Sequence, residues 1–336
     1  MKKLALLLGS LLVVGATASA KEAVVAPVEV SKEVVVVAEP VAEVVIVEET
    51  PTLKLTSIKT GLWSENRSGA RGGDLGNNSL RLYTNFSYGP DWYGWFNLRR
   101  YFNSNTNGSY AEKDLFDKVA TRSYVGVGRN LFENYAVELQ YTAQGSWDKY
   151  AITGNFAPTS WLSGYLMYEY KADDGKKYDN KDFTVDEEGV VSVVQHTNSD
   201  SNYVEFQPKL SYNGWGISYY FEGDYAISND SEVQYQQVRL FTPKAKYGNF
   251  AVSGEYRGTI QFDSKKENGS KDYGVGNTMK DAFDVNRIYA HGTYALTETT
   301  TIFTSLGYEF GKWEQADGSK KDSYMTIVEA GVNMKF

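Results

Sequence analysis

Residues 323–336 read SYMTIVEAGVNMKF. Tyr324, Thr326, Val328, Ala330, Val332, Met334 and Phe336 share one parity, while Ser323, Glu329, Asn333 and Lys335 lie among the other. Successive side chains of a strand point to opposite faces, so this stretch makes one apolar wall and one largely polar wall. It ends on an aromatic residue, where a soluble enzyme would rarely leave a strand unshielded.

The closing pattern of glycine and two apolar residues, Gly331, Met334 and Phe336, resembles the C-terminal assembly signal of bacterial outer-membrane β-barrels. The opposite end agrees. Lys2 and Lys3, an apolar run over 4–14 and Ala18-Ser19-Ala20 make a secretory signal peptide at 1–20, too short for a spanning helix.

Cysteine is absent, which excludes disulfides, thiolate metal sites and a cysteine nucleophile. The formal charge is −8, and loss of Lys2 and Lys3 makes it −10. Residues 21–52 carry two Lys and seven Glu, hence half of that acidity, and the remainder is nearly balanced. No basic stripe suggests nucleic acid. All 26 Tyr, 16 Phe and 7 Trp fall after residue 52, and Tyr suits a ring with one apolar side and one wet end. Mean hydropathy is −0.44, and no later run reaches the roughly 20 apolar residues of a membrane helix. A barrel survives this test, because only alternate residues face lipid.

Residues 21–52 form a separate Val/Glu/Pro-rich segment, broken by Pro27, Pro40 and Pro51 and expected to be a periplasmic tether. From 53 to 336 the alternation predicts an all-β, antiparallel up-and-down transmembrane barrel. Strands are expected at 53–63, 79–88, 92–102, 119–130, 135–145, 149–157, 161–170, 202–212, 215–225, 233–246, 250–262, 283–294, 299–311 and 323–336. In strand 250–262, Phe250 to Phe262 on even numbers should face lipid and Ser253 to Gln261 on odd numbers the lumen. Tight links such as Gly89-Pro90-Asp91 and Asn213-Gly214 alternate with long polar ones, the arrangement of short periplasmic turns and long extracellular loops. Twelve or sixteen strands would need one hairpin removed or added. The longest loop, 171–201, contains an expected hairpin around Asp186-Glu187-Glu188-Gly189 that projects outward or narrows the pore.

Catalytic candidates are few. His196 falls in that loop and His291 on an inward parity, where His291-Gly292-Thr293 is the nearest approach to a lipase pairing. No GxSxG, HExxH or phosphate-loop pattern occurs. No enzyme activity, cofactor or metal is expected. Acidic clusters such as Asp173-Asp174 could bridge to lipid headgroups through divalent ions, but read first as solvated loop charge. The pore-lining set is Arg81, Arg99, Arg122, Glu138, Glu169, Glu205, Lys209, Glu222, Asp224, Glu255, Arg257, Arg287 and Glu309. Acidic groups slightly outnumber basic ones, so weak cation selectivity is expected; the bland reading is that these charges keep a lumen wet.

The leader MKKLALLLGSLLVVGATASAKE, the Val/Glu/Pro-rich segment, the Tyr-rich alternating body and the ending GVNMKF resemble the fusobacterial major outer-membrane porins. That resemblance implies a general-diffusion channel for small hydrophilic solutes, set among outer-membrane lipids and lipopolysaccharide. It further implies a homotrimer, with host or bacterial surface partners reached through the loops. A surface adhesin or structural barrel with a plugged lumen is the alternative.

Overall fold

The computed structural model describes residues 51–69, 78–102, 121–144, 147–173, 183–185, 191–193, 200–227, 230–266, 268–272 and 278–336. The expected signal peptide, nearly all of 21–52 and His196 lie outside them. Among the described residues every regular element is a strand. In chain order these are β1 (Leu53–Gly69), β2 (Ser79–Tyr88), β3 (Trp92–Tyr101), β4 (Thr121–Phe132), β5 (Tyr135–Gln144), β6 (Trp147–Thr159), β7 (Leu162–Asp173), β8 (Phe183–Val185) and β9 (Val191–Val193). There follow β10 (Ser201–Tyr212), β11 (Trp215–Ala226), β12 (Glu232–Phe241), β13 (Ala245–Tyr247), β14 (Phe250–Lys265), β15 (Val285–Ala295), β16 (Thr300–Glu314) and β17 (Lys320–Lys335).

Fourteen of these close a ring: β1 pairs with β2 and β17, β7 with β10, and β12 with β14, all antiparallel. Closure gives every strand two neighbours, so backbone N–H and C=O groups are satisfied without an edge, as a lipid environment demands. β8 and β9 pair only with each other, as the hairpin reading of 171–201 expects, and their turn at 186–190 lies outside the described residues. β13 is a short addition on β14.

Burial runs inside out. Leu306, Leu166 and Val125 on one parity are 55%, 52% and 51% exposed, while Glu309 and Glu169 on the other are 2% and 5% exposed. An apolar wall this continuous spans a membrane; lipid contact stabilises each fully covered Leu or Val by roughly 1.5–3 kcal/mol. At the turn rim an aromatic collar stands exposed, including Phe132, Trp161, Tyr212, Trp215 and Tyr247. Toward the other rim Tyr141 meets Tyr150, and Tyr308 meets Tyr324, at centroid distances of 5.4 and 6.3 Å. Rings with a polar tip suit both interfaces. The Asn213-Gly214 turn has φ of 48° and 82°, the double left-handed geometry of a tight hairpin.

Three expectations change. The strand expected at 233–246 stops at Phe241, because Pro243 carries no N–H for the ladder, and resumes as β13. β1, β16 and β17 run farther toward the loop rim than expected. In β1, Ser64, Asn66 and Ser68 are polar on the outer side just as Glu65 and Arg67 are on the inner, so the apolar signal ends before the ladder does. In β14 a bulge at Ile260 changes the expected parity: Gln237 pairs with Thr259, but Gln236 pairs with Gln261. Phe262 therefore points inward, 5.2 Å from the Tyr235 ring and 5.3 Å from Trp313. Gln261 turns outward, accepting from Gln236 at 2.9 Å and donating to Asp263 at 2.6 Å.

Candidate functional site: the inner wall of the barrel

Alternation along antiparallel strands puts the thirteen charged residues of the pore-lining set on the inner parity of the ring. Five of them are in ion pairs. Arg287 donates to Glu309 across β15–β16, with Nε 3.0 Å from Oε2. Arg257 Nε lies 2.5 Å from Glu255 Oε1 on the same strand, and Lys149 Nζ lies 2.5 Å from Glu169 Oε1. Lys209 rests over the Phe241 ring at 4.1 Å, and Glu138 accepts from the Tyr93 hydroxyl at 2.9 Å.

Glu205 and Glu222 face each other directly across β10–β11, a like-charge pair that would be unfavourable alone. Tyrosine hydroxyls offset it. Tyr165 and Tyr203 donate to Glu205, the latter at 2.7 Å, and Tyr220 and Tyr203 donate to Glu222 at 2.5 and 3.4 Å. Beside them Arg239 stacks 3.5 Å over Tyr220 and donates to Gln207 and Gln237 at 3.0 and 3.1 Å. Asp224 lies on the same wall, with Oδ1 buried and without a hydrogen-bond partner among the described residues.

On β2, β3 and β4, Arg81 is directly opposite Arg99, and Arg99 is directly opposite Arg122. Their guanidinium carbons lie over aromatic rings: Arg81 over Trp63 at 4.1 Å, Arg99 over Tyr124 at 4.8 Å, and Arg122 over Trp147 and Tyr101 at 5.0 and 5.7 Å. In the ring of fourteen, β3 stands seven steps from β12 in either direction. The arginine wall thus faces the half of the barrel that carries Glu222, Arg239 and Glu255.

The inner face is not polar throughout. Trp313, Met279 and Val285 form a buried cluster with Phe262, and Tyr289, Met325 and Ile327 form another against Trp63. A recess of about 330 Å³ lies between this strip and Glu222, Arg239 and Arg287. Nearer the turn rim a groove of about 880 Å³ runs along the wall from β14 through β17 to β3, past Lys59, Lys246, Glu329 and Lys335.

His291 sits on the inner face, with Nδ1 2.8 Å from Ser305 Oγ and Nε2 3.4 Å from Glu255 Oε2. A Ser–His–Glu sequence of contacts is present, but Glu255 is already committed to Arg257, and the backbone amides flanking Ser305 are spent in the ladders with β15 and β17. An acyl-transfer site needs free amides aimed at a developing oxyanion. Among the described residues no group of His, Asp and Glu side chains is placed to hold a metal.

The expected pore-lining set left out Lys59, Glu65, Arg67, Lys149 and Arg239 on the inner face, and Glu329, which the sequence had already placed on the polar wall of the last strand. Each shares the inward parity of its strand, so the signal was there for Lys59 and Arg239. Glu65 and Arg67 lay in a stretch expected to be loop. The Lys59–Glu329 pair, 3.2 Å apart, joins residues 270 positions apart and needs the closed ring to be seen. Added to the expected set, these four basic and two acidic residues make ten basic and nine acidic, and Lys171 and Lys335 on the same inward parity add two further basic groups.

No protein-family model matches the chain, and no curated protein is similar to it. Among solved structures it is similar to OmpT, an outer membrane protein of Vibrio cholerae, at 10% identity over 87% of this chain and 99% of that one, TM-score 0.44. The anion-selective porin from Comamonas acidovorans gives 11% identity, 85% and 100% coverage and a TM-score of 0.43. Pseudomonas putida OprB gives 10%, 84%, 94% and 0.42. At such values the likeness adds nothing to what the strand pairing already establishes.

Proposed function

We propose that this chain is an outer-membrane porin of the fusobacterial type, a passive channel for small hydrophilic solutes and ions that makes and breaks no bonds. The observation that carries this reading is the pairing of a closed fourteen-strand ring with an apolar outer wall and a charged, tyrosine-rich inner wall. Solute moves down its gradient along the polar side chains, and the charged walls filter it by sign and dipole. The turn rim is periplasmic, with residues 21–52 on that side; the long loops face outward, available to surface partners. Lipid and lipopolysaccharide cover the outer wall, and a homotrimer is the assembly. Since basic groups outnumber acidic ones among the described inner-wall residues, the cation preference read from the partial set loses its basis.

Planar-bilayer recording of the purified protein tests this: steady ohmic steps support a porin. A second reading, a structural barrel or adhesin with a closed lumen, is favoured by the apolar inner strip around Trp313 and Ile327. Reconstituted protein that stays silent across the accessible voltage range decides for it.

A further inference from the structure

We propose that Arg81, Arg99 and Arg122 form a binding subsite for small oxyanions, carboxylate or phosphate groups, on the inner wall of β2–β4. Like charges directly opposite on neighbouring strands are destabilising, and here two such contacts follow in succession. Most other inner-wall charges are offset, although Arg239, opposite Arg257, donates only to neutral Gln207 and Gln237. Arg257 and Arg287 have carboxylates, and the Glu205–Glu222 pair has tyrosine hydroxyls. Among the described residues no carboxylate makes an ion pair with the ladder. Its hydrogen bonds go to neutral groups: Arg81 Nε to Ser79 at 3.1 Å, and Arg122 to Gln144 and, at 3.3 Å, to the Tyr124 hydroxyl. Arg99 stands between the other two, its Nε buried and without a hydrogen-bond partner among the described residues.

The aromatic rings explain how such a ladder persists. Trp63, Tyr124 and Trp147 lie under the guanidinium groups at cation–π distance, which steadies the charge without consuming an N–H donor in a hydrogen bond. A guanidinium edge presented this way matches the geometry of a carboxylate or phosphate, which accepts two parallel hydrogen bonds. Directly opposed strand positions have Cα atoms about 4.5–5.5 Å apart, close enough for one oxyanion to be shared by two arginines. Binding would relieve the repulsion that the empty ladder carries.

The inference rests on the porin reading only for how the anion arrives, and the two are tested apart. Inorganic phosphate is titrated calorimetrically into the folded protein in detergent, and the same anion is added during bilayer recording of chloride current. Saturable binding is expected, weakened about tenfold or more in Arg99→Gln, the loss of one hydrogen bond to a charged group. Arg99→Lys keeps the charge but loses the fork, and should recover chloride conductance without recovering phosphate affinity. Absence of phosphate binding by the wild-type protein, or equal affinity in Arg99→Gln shown folded by heat-dependent gel migration, overturns the subsite. Channels that never open, beside normal calorimetric binding, overturn the porin and leave the subsite standing.

Discussion

Gly61 and Gly331 sit directly opposite each other where the first and last strands meet, and the ring of Phe303 lies across both. A Cβ on Gly331 would stand 2.7 Å from the ring carbon Cζ, and one on Gly61 3.1 Å from the same atom. Lys59 closes the stack, its Nζ 4.1 Å from the centre of that ring. An aromatic ring laid over a glycine covers backbone that would otherwise lose packing.

A Cβ at Gly331 would also stand 2.1 Å from the Thr60 carbonyl oxygen, so Gly331→Val should cost about 3 kcal/mol or more through overpacking against backbone. The purified variant, refolded in detergent, should yield a smaller fraction of the compact, heat-sensitive form on a gel. Detergent refolding uses no assembly machinery. A variant that refolds like the wild type there but fails to reach the membrane in cells would place the role of Gly331 in the assembly signal instead.

Among the described residues Arg287 and Glu309 make the most buried ion pair of the inner wall, with side chains 19% and 3% exposed. Removing one partner leaves the other charge uncompensated, so Glu309→Gln should destabilise the barrel by about 3–5 kcal/mol, seen as a lower unfolding midpoint in detergent. Arg287→Met combined with Glu309→Leu should recover most of that loss. If the single variant unfolds at the wild-type midpoint, the pair contributes nothing to stability.

Much of this architecture is legible from alternation, because a barrel writes its two faces onto every strand. The last strand shows it well: Tyr324, Thr326 and Ala330 face out, while Ser323 and Glu329 face in. Strand ends were less legible wherever both faces turn polar, as at Ser64 to Ser68. What one strand cannot disclose is register. The opposition of Arg81 to Arg99, the Ser305 contact of His291 and the Lys59–Glu329 bridge arise between strands, and no residue marks them in its own sequence. The bulge at Ile260 was invisible for a related reason. An extra residue in a strand leaves the alternation of apolar and polar types almost unchanged locally, yet reverses the meaning of all that follows it.

That bulge leads to a prediction about deletion. Thr259 already points inward and Gln261 outward, so removing Ile260 restores a regular ladder without inverting either half of β14. The deletion should fold, losing no more than about 1.5–3 kcal/mol, the contact of one isoleucine side chain. Deleting Thr304 from the bulge-free β16 should prevent folding, because it inverts every side chain on one side of the cut. The recovery of folded protein after detergent refolding separates the two outcomes, and equal recovery would contradict the bulge.

At the loop rim, Lys320 Nζ donates to Asp281 Oδ2 and Asp284 Oδ1, both at 2.7 Å, and ties the segment preceding β15 to the start of β17. The hydrogen bond from Lys320 and its charge hold the Asp281 carboxyl below its ordinary value of 3.8, and the two carboxylates raise the Lys320 ammonium above 10.5. A depressed carboxylate contributes stability above its ordinary pKa and loses it as pH falls through the lowered one. A raised ammonium contributes below its ordinary pKa and loses it as pH rises through the raised one. The tether should accordingly hold from about pH 5 to about pH 9, well inside both limits. Amide exchange over residues 278–284, corrected for intrinsic rates, should be flat across that window and faster once Asp281 is protonated. In Lys320→Met the exchange should be fast at every pH; protection unchanged in that variant would show that the backbone bonds to Phe262, Thr259, Lys312 and Glu314 hold the segment alone.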